Sequence, residues 1–389
     1  MMVSPDSSYM IDRLEKLVAI NTENPPGQEA EAAAFLADEL QRIGFSVEQI
    51  EELPGRANVV ARFSNGPGPV FAFNSHIDVV PAGGGWSHPP FKLVERDGRL
   101  YGRGACDAKG PIVAMIEAAR MLMAQRGQWV GELLLVFVFD EEVQSLGAKA
   151  FAKQAGKIDH VMIGEPTMNT VATAHKGSLR LFVRVLGEAA HSSTPDLGVN
   201  AIFKAADLMR LLEAHHSGHL CRHHHPLVGT PSLTVTRISA GTGDTVVPEA
   251  CDMLIDRRMV PGENQDDAVK EIETILETAR KEFGVETEIV EFKPTTGPAS
   301  ETPFDHSIVR TAVAAAAPYN AGAQPAGFPA GCDLVHFLSI GASGVVLGPG
   351  DLGVAHKPDE FIPIDQFIDA SRIYLDTALG MLRESSATR

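Results

Sequence analysis

The chain has few cysteines and no long apolar run. Its four cysteines are far apart and form no CxxC pair, which favours free thiols over a disulfide framework. No stretch reaches the roughly eighteen consecutive apolar residues of a membrane span, and no basic segment followed by an apolar run opens the sequence as a signal peptide would. From these absences we expect a cytoplasmic protein.

Basic residues are also scarce relative to acidic ones. The 33 Lys and Arg stand against 50 Asp and Glu, which gives a formal net charge of -17. Binding to nucleic acid or to an anionic membrane requires a basic surface that displaces counterions. The charge therefore excludes both as partners and favours small-molecule substrates. With 389 residues, 44% of them hydrophobic, the chain is long enough for roughly two domains at about 150 residues each.

Helices and strands alternate in the first part of the chain. Apolar spacing predicts helices near 9–20 and 28–43 and after Gly110, and it predicts strands near 58–63, 70–75 and 132–139 and from Val161. Strands that are apolar on both faces indicate an α/β domain with a mostly parallel sheet covered by helices. Such sheets bind their ligands at the carboxyl ends of the strands.

The order of elements changes after residue 176. Strand, helix, strand, strand, helix and strand follow one another, which is typical of a ferredoxin-like α+β unit. The α/β pattern resumes after "KPTTGP", with a helix near 307–316, a strand in "SGVVLG" and a last helix from Ile364. We therefore predict an α/β domain made of 1–176 and 294–389 that is interrupted by an inserted domain at 177–293.

A histidine and an aspartate end one buried strand in "FAFNSHIDVVPAG", residues 71–83. Side chains alternate along a strand, so His76 and Asp78 point the same way. The carboxylate can then orient the imidazole while the other ring nitrogen binds a metal. The alternative is an exposed loop histidine beside a solvated aspartate.

Other side chains of the types that bind metals occur at strand ends and in glycine-rich turns. Asp107 stands in a glycine-bracketed turn in "YGRGACDAKGP", three acids end a strand in "FDEEVQSLGAK", "IGEPT" contains Glu165, and "GPGDLGVAHKPDE" contains His356. Adjacent carboxylates beside a buried strand repel one another and lose hydration, so they favour a bound cation; a surface acidic cluster is the alternative. Together the two histidines and at least three carboxylates suffice for two metals that share a bridging carboxylate.

Seven motifs occur along the chain in an order that resembles that of a known family. "HID", "GRGACDAKG", "DEE", "GEPT", "HSSTPDLGVNA", "DRRMVPG" and "GPGDLGVAHKPDE" resemble those of the two-zinc amidohydrolase and peptidase family that includes acetylornithine deacetylase, succinyl-diaminopimelate desuccinylase and related carboxypeptidases. The likeness covers nearly the whole chain, and seven motifs in one order make it specific. It implies a catalytic α/β domain interrupted by a lid domain, which commonly forms the contact of a homodimer.

The resemblance also implies the metal ligands. It assigns His76, Asp107 and Glu165 to one ion and Asp107, Glu142 and His356 to the other, so that Asp107 bridges the two. The ions implied are two Zn²⁺, and Co²⁺ or Mn²⁺ also suits a mixed set of histidine and carboxylate ligands.

Other roles follow from the same resemblance. Asp78 would orient its histidine, and Glu141 would be the general base that takes a proton from water and passes it to the leaving amine. His191 would reach the active site of the partner subunit and donate to the oxyanion, although a histidine beside two serines can also simply satisfy a turn. Arg258 would bind a substrate carboxylate through its planar guanidinium, with Arg257 facing solvent.

Two features fit the pattern less well. Where many relatives have asparagine before the Val-Val-Pro or Val-Ile-Pro of the lid, this chain has Thr245, which has a shorter side chain and fewer hydrogen-bonding groups. The segment "HHSGHLCRHHH", 215–225, holds six histidines but no acidic partner at matching spacing. We predict that it is a solvated loop rather than a built zinc site.

The expected function is metal-dependent hydrolysis of the amide bond of an N-acyl amino acid or a similar small molecule, as in acetylornithine deacetylase. A carboxypeptidase or dipeptidase of the same family is the main alternative, since one metal centre hydrolyses either kind of amide. A protein that binds small carboxylates without turnover is the other alternative. Glu141 argues against it, because a binding protein has no use for a base beside the metals.

Overall fold

The computed structural model describes residues 4–320 and 324–383. The helices are α1 (Ser7–Ala19), α2 (Ala30–Ile43), α3 (Lys109–Ala124), α4 (Leu146–Gln154), α5 (Ala201–Gly218), α6 (Gln265–Phe283), α7 (Ser307–Ala316), α8 (Leu334–Ser339) and α9 (Ile364–Met381). The strands are β1 (Ser46–Leu53), β2 (Arg56–Ser64), β3 (Val70–His76), β4 (Val94–Arg96), β5 (Arg99–Tyr101), β6 (Glu132–Val138), β7 (His160–Ile163), β8 (Ala172–His175), β9 (Gly177–Leu186), β10 (Ala190–His191), β11 (Ser232–Ala240), β12 (Val246–Val247), β13 (Ala250–Met259), β14 (Glu286–Lys293), β15 (Ser300–Glu301), β16 (Ala326–Phe328), β17 (Ser343–Val346) and β18 (Phe361–Pro363).

The described residues fall into two compact units. The first contains those within 1–174, 301–328 and 332–389, and the second contains 175–300 and 329–331. The insert predicted at 177–293 lies within the second unit. Over the part of the chain that the structure describes, no helix combines the length and the apolar character needed to cross a membrane.

A large mixed sheet forms the centre of the first unit. Its strands lie in the order β1-β2-β6-β3-β7-β17-β8-β15, with β16 beside β8. The four middle strands β6, β3, β7 and β17 run parallel, and β2 and β8 flank them in antiparallel orientation. All four middle strands are almost wholly buried, as expected when helices cover a parallel sheet. The predicted mostly parallel α/β sheet is confirmed.

Helix α3 runs through the core of this unit. Nearly every residue from Lys109 to Leu122 is buried, because the helix packs against α1, α9 and strand β3. Such a helix is apolar all round rather than on one stripe. Its position matters for function, since its first turn follows Asp107 directly and fixes where that residue enters the core.

The second unit has the predicted ferredoxin-like order. Its antiparallel sheet runs β11-β13-β9-β14, and α5 and α6 connect the strands in the order β9-α5-β11-β13-α6-β14. Buried and half-exposed residues alternate along β9, as in a strand that packs helices on one face. Asn200 and Asn264 cap α5 and α6 by accepting backbone N–H groups, and Gly284 ends α6 at φ 59°.

Candidate metal centre

The predicted metal ligands follow the ends of the parallel strands. His76 is the last residue of β3, Glu141 and Glu142 follow β6, and Glu165 follows β7. His356 lies on the loop after β17. Because these four strands run parallel, their carboxyl ends lie along one edge of the sheet, and the side chains converge there although they are far apart in sequence.

Asp107 lies between the two histidines. Its Oδ1 is 3.1 Å from Nε2 of His76, and its Oδ2 is 3.3 Å from Nε2 of His356. His76 Nε2 is also 3.8 Å from Glu165 Oε1, while His356 Nε2 is 3.0 Å from Glu142 Oε2. Each oxygen of Asp107 thus faces a different histidine–carboxylate pair, which is the arrangement that a bridging carboxylate requires.

The donor set fits metal ions. Among the described residues two groups of three side chains bring their ligand atoms within 4.8 Å of one another: His76 with Asp107 and Glu142, and His76 with Glu141 and Glu165. Within the same described part of the chain, Glu142 Oε1 is buried and has no hydrogen-bond partner. A buried carboxylate oxygen without a donor is costly, and histidine nitrogens with carboxylate oxygens are ligands of zinc and similar ions.

The electrostatics of the cluster also call for positive charge. Burial, together with the charge of Glu165, raises the pKa of Glu141 well above its usual range, and burial likewise raises the pKa of Glu165. Burial opposes protonation of His76, but its hydrogen bond to Asp107 and the nearby charges outweigh burial and raise its pKa. Burial alone would raise the pKa of Asp107, but hydrogen bonds from His356 and His76 outweigh burial and lower this pKa. Burial thus disfavours the ionised form of Glu141 and Glu165, and added positive charge would favour it.

Asp78 lies closer to the His76 ring through its main chain than through its carboxylate. Nδ1 of His76 lies 2.9 Å from the main-chain carbonyl oxygen of Asp78 and 3.7 Å from its Oδ1. The buried carboxylate instead accepts the backbone N–H groups of Glu141 at 3.1 Å and Glu142 at 3.2 Å, and the side-chain amide of Asn24 at 2.9 Å. Its strongest contacts therefore fix the two glutamates after β6.

A buried network continues behind that loop. The Asn24 amide nitrogen also donates to Asp140, which is 3.0 Å from Nη1 of Arg56. Arg56 in turn makes two hydrogen bonds to the fully buried Glu29, at 2.9 and 2.6 Å. Sequence reasoning missed Asn24, Arg56 and Glu29, and it noted Asp140 only as one of the three acids that end the strand. The only local signal was the turn sequence "NPPG" around Asn24, which marks a turn but not a contact.

The second unit carries two of the predicted functional residues. His191 is exposed, and its Nδ1 accepts the backbone N–H of Ser193 at 3.1 Å. Arg258 is partly exposed and donates from Nε to Asp256 at 2.7 Å. The expectation that Arg257 faces solvent is wrong: its side chain is 1% exposed and pairs with Glu263 and Glu271, because it points into the other face of β13.

The histidine-rich segment is partly helical rather than a loop. Residues 215–218 are the last turn of α5, and a 3₁₀ turn, Leu220–Arg222, follows. The rings of His215, His219 and His223 lie 4.9 and 5.0 Å apart in succession. Neither of the converging groups found in the described residues includes this segment. The backbone carbonyl of Thr245 accepts the N–H of Ser192 at 2.9 Å.

Comparison with known proteins gives a consistent picture. The model of peptidase family M20/M25/M40 matches residues 72–380. An acetylornithine deacetylase from Vibrio campbellii is 31% identical over 370 residues, which cover 93% of this chain and 94% of that protein. The aminopeptidase PepT from Bacillus cereus has a similar structure, with a TM-score of 0.80 at 19% identity over 97% of this chain and 99% of the other. A dinuclear metal-binding peptidase of the M20 family from Bacillus subtilis has a TM-score of 0.74 at 18% identity, over 97% of this chain and 98% of the other. At such low identity the two structures establish the fold alone.

Proposed function

The chain belongs to peptidase family M20/M25/M40, and we propose on this basis that it is a metal-dependent hydrolase that removes the acyl group from the nitrogen of an amino acid or a similar small molecule. The observation that carries the proposal is the position of Asp107, whose two oxygens each face one histidine–carboxylate pair. The likeness over most of its length to a protein named acetylornithine deacetylase favours N-acyl amino acids as the substrate class.

Two divalent cations are part of the proposal. His76, Asp107 and Glu165 would hold one, and Asp107, Glu142 and His356 would hold the other; zinc is our assignment, with cobalt and manganese as the alternatives. The name of the Bacillus subtilis relative, a dinuclear metal-binding peptidase, supports a pair of ions. When bound, the cations would supply Lewis acidity, which would lower the pKa of water and polarise the scissile carbonyl.

Glu141 is proposed as the general base. It is buried beside His76 and Glu165, and neither proposed ligand set includes it. Its carboxylate accepts a proton from the attacking water and delivers it to the nitrogen as the carbon–nitrogen bond breaks. Asp78 keeps Glu141 in place through the backbone.

His191 and Arg258 are proposed to act on the substrate. The Nδ1 atom of His191 is an acceptor for the N–H of Ser193, so the neutral ring carries its proton on Nε2 and presents a donor for the oxyanion. Following the family resemblance, we assign this donor to the active site of a partner subunit. Arg258 uses Nε for Asp256, which leaves both terminal nitrogens for a substrate carboxylate.

A homodimer through the second unit and a cytoplasmic location complete the proposal. All four cysteines are free thiols, which suits a reducing compartment. The dimer can be tested by measuring the mass of the active enzyme in solution. A monomer with full activity would contradict the role of His191 in a partner subunit.

The activity itself is tested by amine release from two substrate panels. One contains N-acyl amino acids, N-acetylornithine among them, and the other contains dipeptides; both are given to chelator-stripped enzyme with and without added Zn²⁺, Co²⁺ or Mn²⁺. Metal-restored hydrolysis confined to N-acyl amino acids would support the deacylase. Cleavage mainly of dipeptides would assign the chain to the peptidase branch, and no turnover on either panel would refute the proposal.

The Glu141→Gln variant separates catalysis from metal binding. It should bind the same two ions per chain as the parent and lose activity by roughly 10²-fold or more, the usual contribution of a general base. Unchanged activity would remove Glu141 from the mechanism, and loss of a metal ion would make it a ligand instead.

A further inference from the structure

An ion pair with both partners buried lies next to the proposed metal ligands. The side chains of Arg103 and Glu360 are each 1% exposed, and Nη1 of the arginine is 2.5 Å from Oε2 of the glutamate. Neither residue is among the proposed ligands or catalytic groups. Burying two charges costs so much hydration that such a pair is weak support for stability, so its presence here calls for another explanation.

Glu360 holds the turn that carries the bridging carboxylate. Its Oε1 accepts the backbone N–H groups of Cys106 at 2.9 Å and Asp107 at 3.0 Å. The main-chain carbonyl of Glu360 accepts the N–H of Gly102 at 2.9 Å, which aligns it with the start of the same turn. Glu360 thus accepts three hydrogen bonds that fix the path of the backbone through Asp107 before α3 begins.

Arg103 reaches two other loops at the same edge of the sheet. Nη1 donates to the carbonyl of Lys357 at 3.4 Å, next in the chain to His356. Nη2 donates to the carbonyls of Pro81 and Ala82, each at 3.4 Å, in the loop that follows β3. The guanidinium also lies over the ring of Trp86, 5.2 Å from its centre. These contacts are individually long, but together they join three loops around one buried cation.

We propose that the Arg103–Glu360 pair is a positioning device that sets the distance between Asp107 and His356, and thereby the affinity for the metal pair. The inference rests on the proposed function, because it takes those two residues as ligands. Glu360 fixes the turn of Asp107, Arg103 contacts the loop of His356, and the ion pair ties the two together. Groups that orient metal ligands from behind typically change metal affinity roughly 10- to 100-fold when they are replaced.

The test uses two substitutions of Glu360. Glu360→Ala removes the acceptor for both backbone N–H groups and the partner of Arg103. Glu360→Gln keeps one acceptor oxygen for the turn but loses the charge and puts an amide NH2 group in place of the oxygen that accepts from Arg103. Competition with a chromophoric chelator, for Zn²⁺ and separately for Co²⁺, should give an affinity roughly 10- to 100-fold lower for the alanine variant and an intermediate value for the glutamine variant.

Glu117 provides a matched control. It is buried, accepts a backbone N–H from Asp6 at 2.8 Å through one oxygen, and pairs through the other with Arg120 at 2.5 Å. It thus repeats the contacts of Glu360 without touching any proposed ligand. Glu117→Ala and Glu117→Gln should leave metal affinity unchanged, whatever they do to stability.

Each outcome decides the matter. Affinity lost in the Glu360 variants and kept in the Glu117 variants supports the positioning role. Affinity within about threefold of the parent in Glu360→Gln and Glu360→Ala, or an equal loss in the Glu117 variants, overturns it while the proposed function stands. If Glu360→Ala does not fold, Glu360→Gln alone decides by the same criterion. A parent protein that binds no metal refutes the proposed function, and the inference falls with it.

Discussion

Asp78→Ala separates two possible functions of one residue. The substitution removes the carboxylate that accepts the N–H groups of Glu141 and Glu142 and the amide of Asn24. It leaves the main-chain carbonyl that contacts Nδ1 of His76. If the carboxylate serves mainly to hold the loop after β6, the variant should misplace the base and spare the histidine.

The magnitude follows from the three hydrogen bonds. Each buried donor left without an acceptor costs about 1–3 kcal/mol. The loss of one negative charge near Asp140 relieves repulsion, so we expect the low end of the sum, a fall of about 3 kcal/mol in the free energy of unfolding. Misplacing Glu141 by even about 1 Å should lower kcat/KM roughly 10²-fold, because proton transfer depends steeply on geometry.

Urea unfolding of the metal-free protein and amine release by the zinc-loaded enzyme measure the two effects. Asp78→Asn keeps one acceptor oxygen and should fall between the parent and Asp78→Ala. Asp159→Ala is the control, since Asp159 accepts the N–H of Val70 at the opposite end of β3. A change of less than about 1 kcal/mol with kcat/KM intact would refute the reasoning. Metal affinity as low as in His76→Ala would return Asp78 to its expected role of orienting that histidine.

Three other predictions concern pH, metals and substrate binding. Burial lowers the pKa of His175 to about 4 from its ordinary 6.5, so the stability that the neutral ring contributes is complete above pH 6.5 and is lost as the pH falls towards 4. His175→Gln should therefore reduce the difference in unfolding free energy between pH 7.5 and 4 by about 3 kcal/mol. Equal differences in urea titrations of parent and variant would contradict this. Zinc at about 1,000 times its dissociation constant should stabilise the protein by about 4 kcal/mol over the chelated form, and calorimetry that finds the same melting temperature in both states would argue against the metal pair. Arg258→Lys should raise KM roughly tenfold with a smaller change in kcat. The control Arg180→Lys alters the other partner of Asp256 and should change neither constant. Steady-state kinetics that give equal KM values for the two variants would exclude carboxylate binding by Arg258.

Much of the fold follows from periodicity in the sequence. The predicted helix at 307–316 coincides with α7, and the apolar run from Glu132 is β6. Strand β1 was missed because "SVEQIEEL" is an exposed edge strand rich in acids, and its pairing with β2 rather than its composition makes it a strand. The short α8, Leu334–Ser339, is only six residues long, so its apolar side chains show too few turns to establish a helical period.

The residues proposed to carry the chemistry have clearer signals in the sequence than the residues that hold them. His76, Glu141 and Glu165 stand where apolar runs stop, and polar groups at strand ends are unusual enough to attract attention. The alternation of side chains along a strand predicted that Asp78 points the same way as His76, although β3 ends at His76. Alternation gives the direction of a side chain but not which neighbour offers the better hydrogen bond, and here the main-chain carbonyl lies closer to the ring.

Arg103 and Glu360 explain why the supporting residues escape a local reading. They are 257 positions apart. Glu360 stands in "HKPDEF" beside the half-buried Asp359, and nothing in the residue types tells the buried acid from its more exposed neighbour. What distinguishes Glu360 is its geometry: two backbone N–H groups point at one of its oxygens. Backbone donors are identical at every position, so a residue chosen to satisfy them leaves no chemical signature of its own. The proposed metal ligands can therefore be recognised from side-chain type, whereas the residues that position them can be recognised only from the tertiary contacts of the chain.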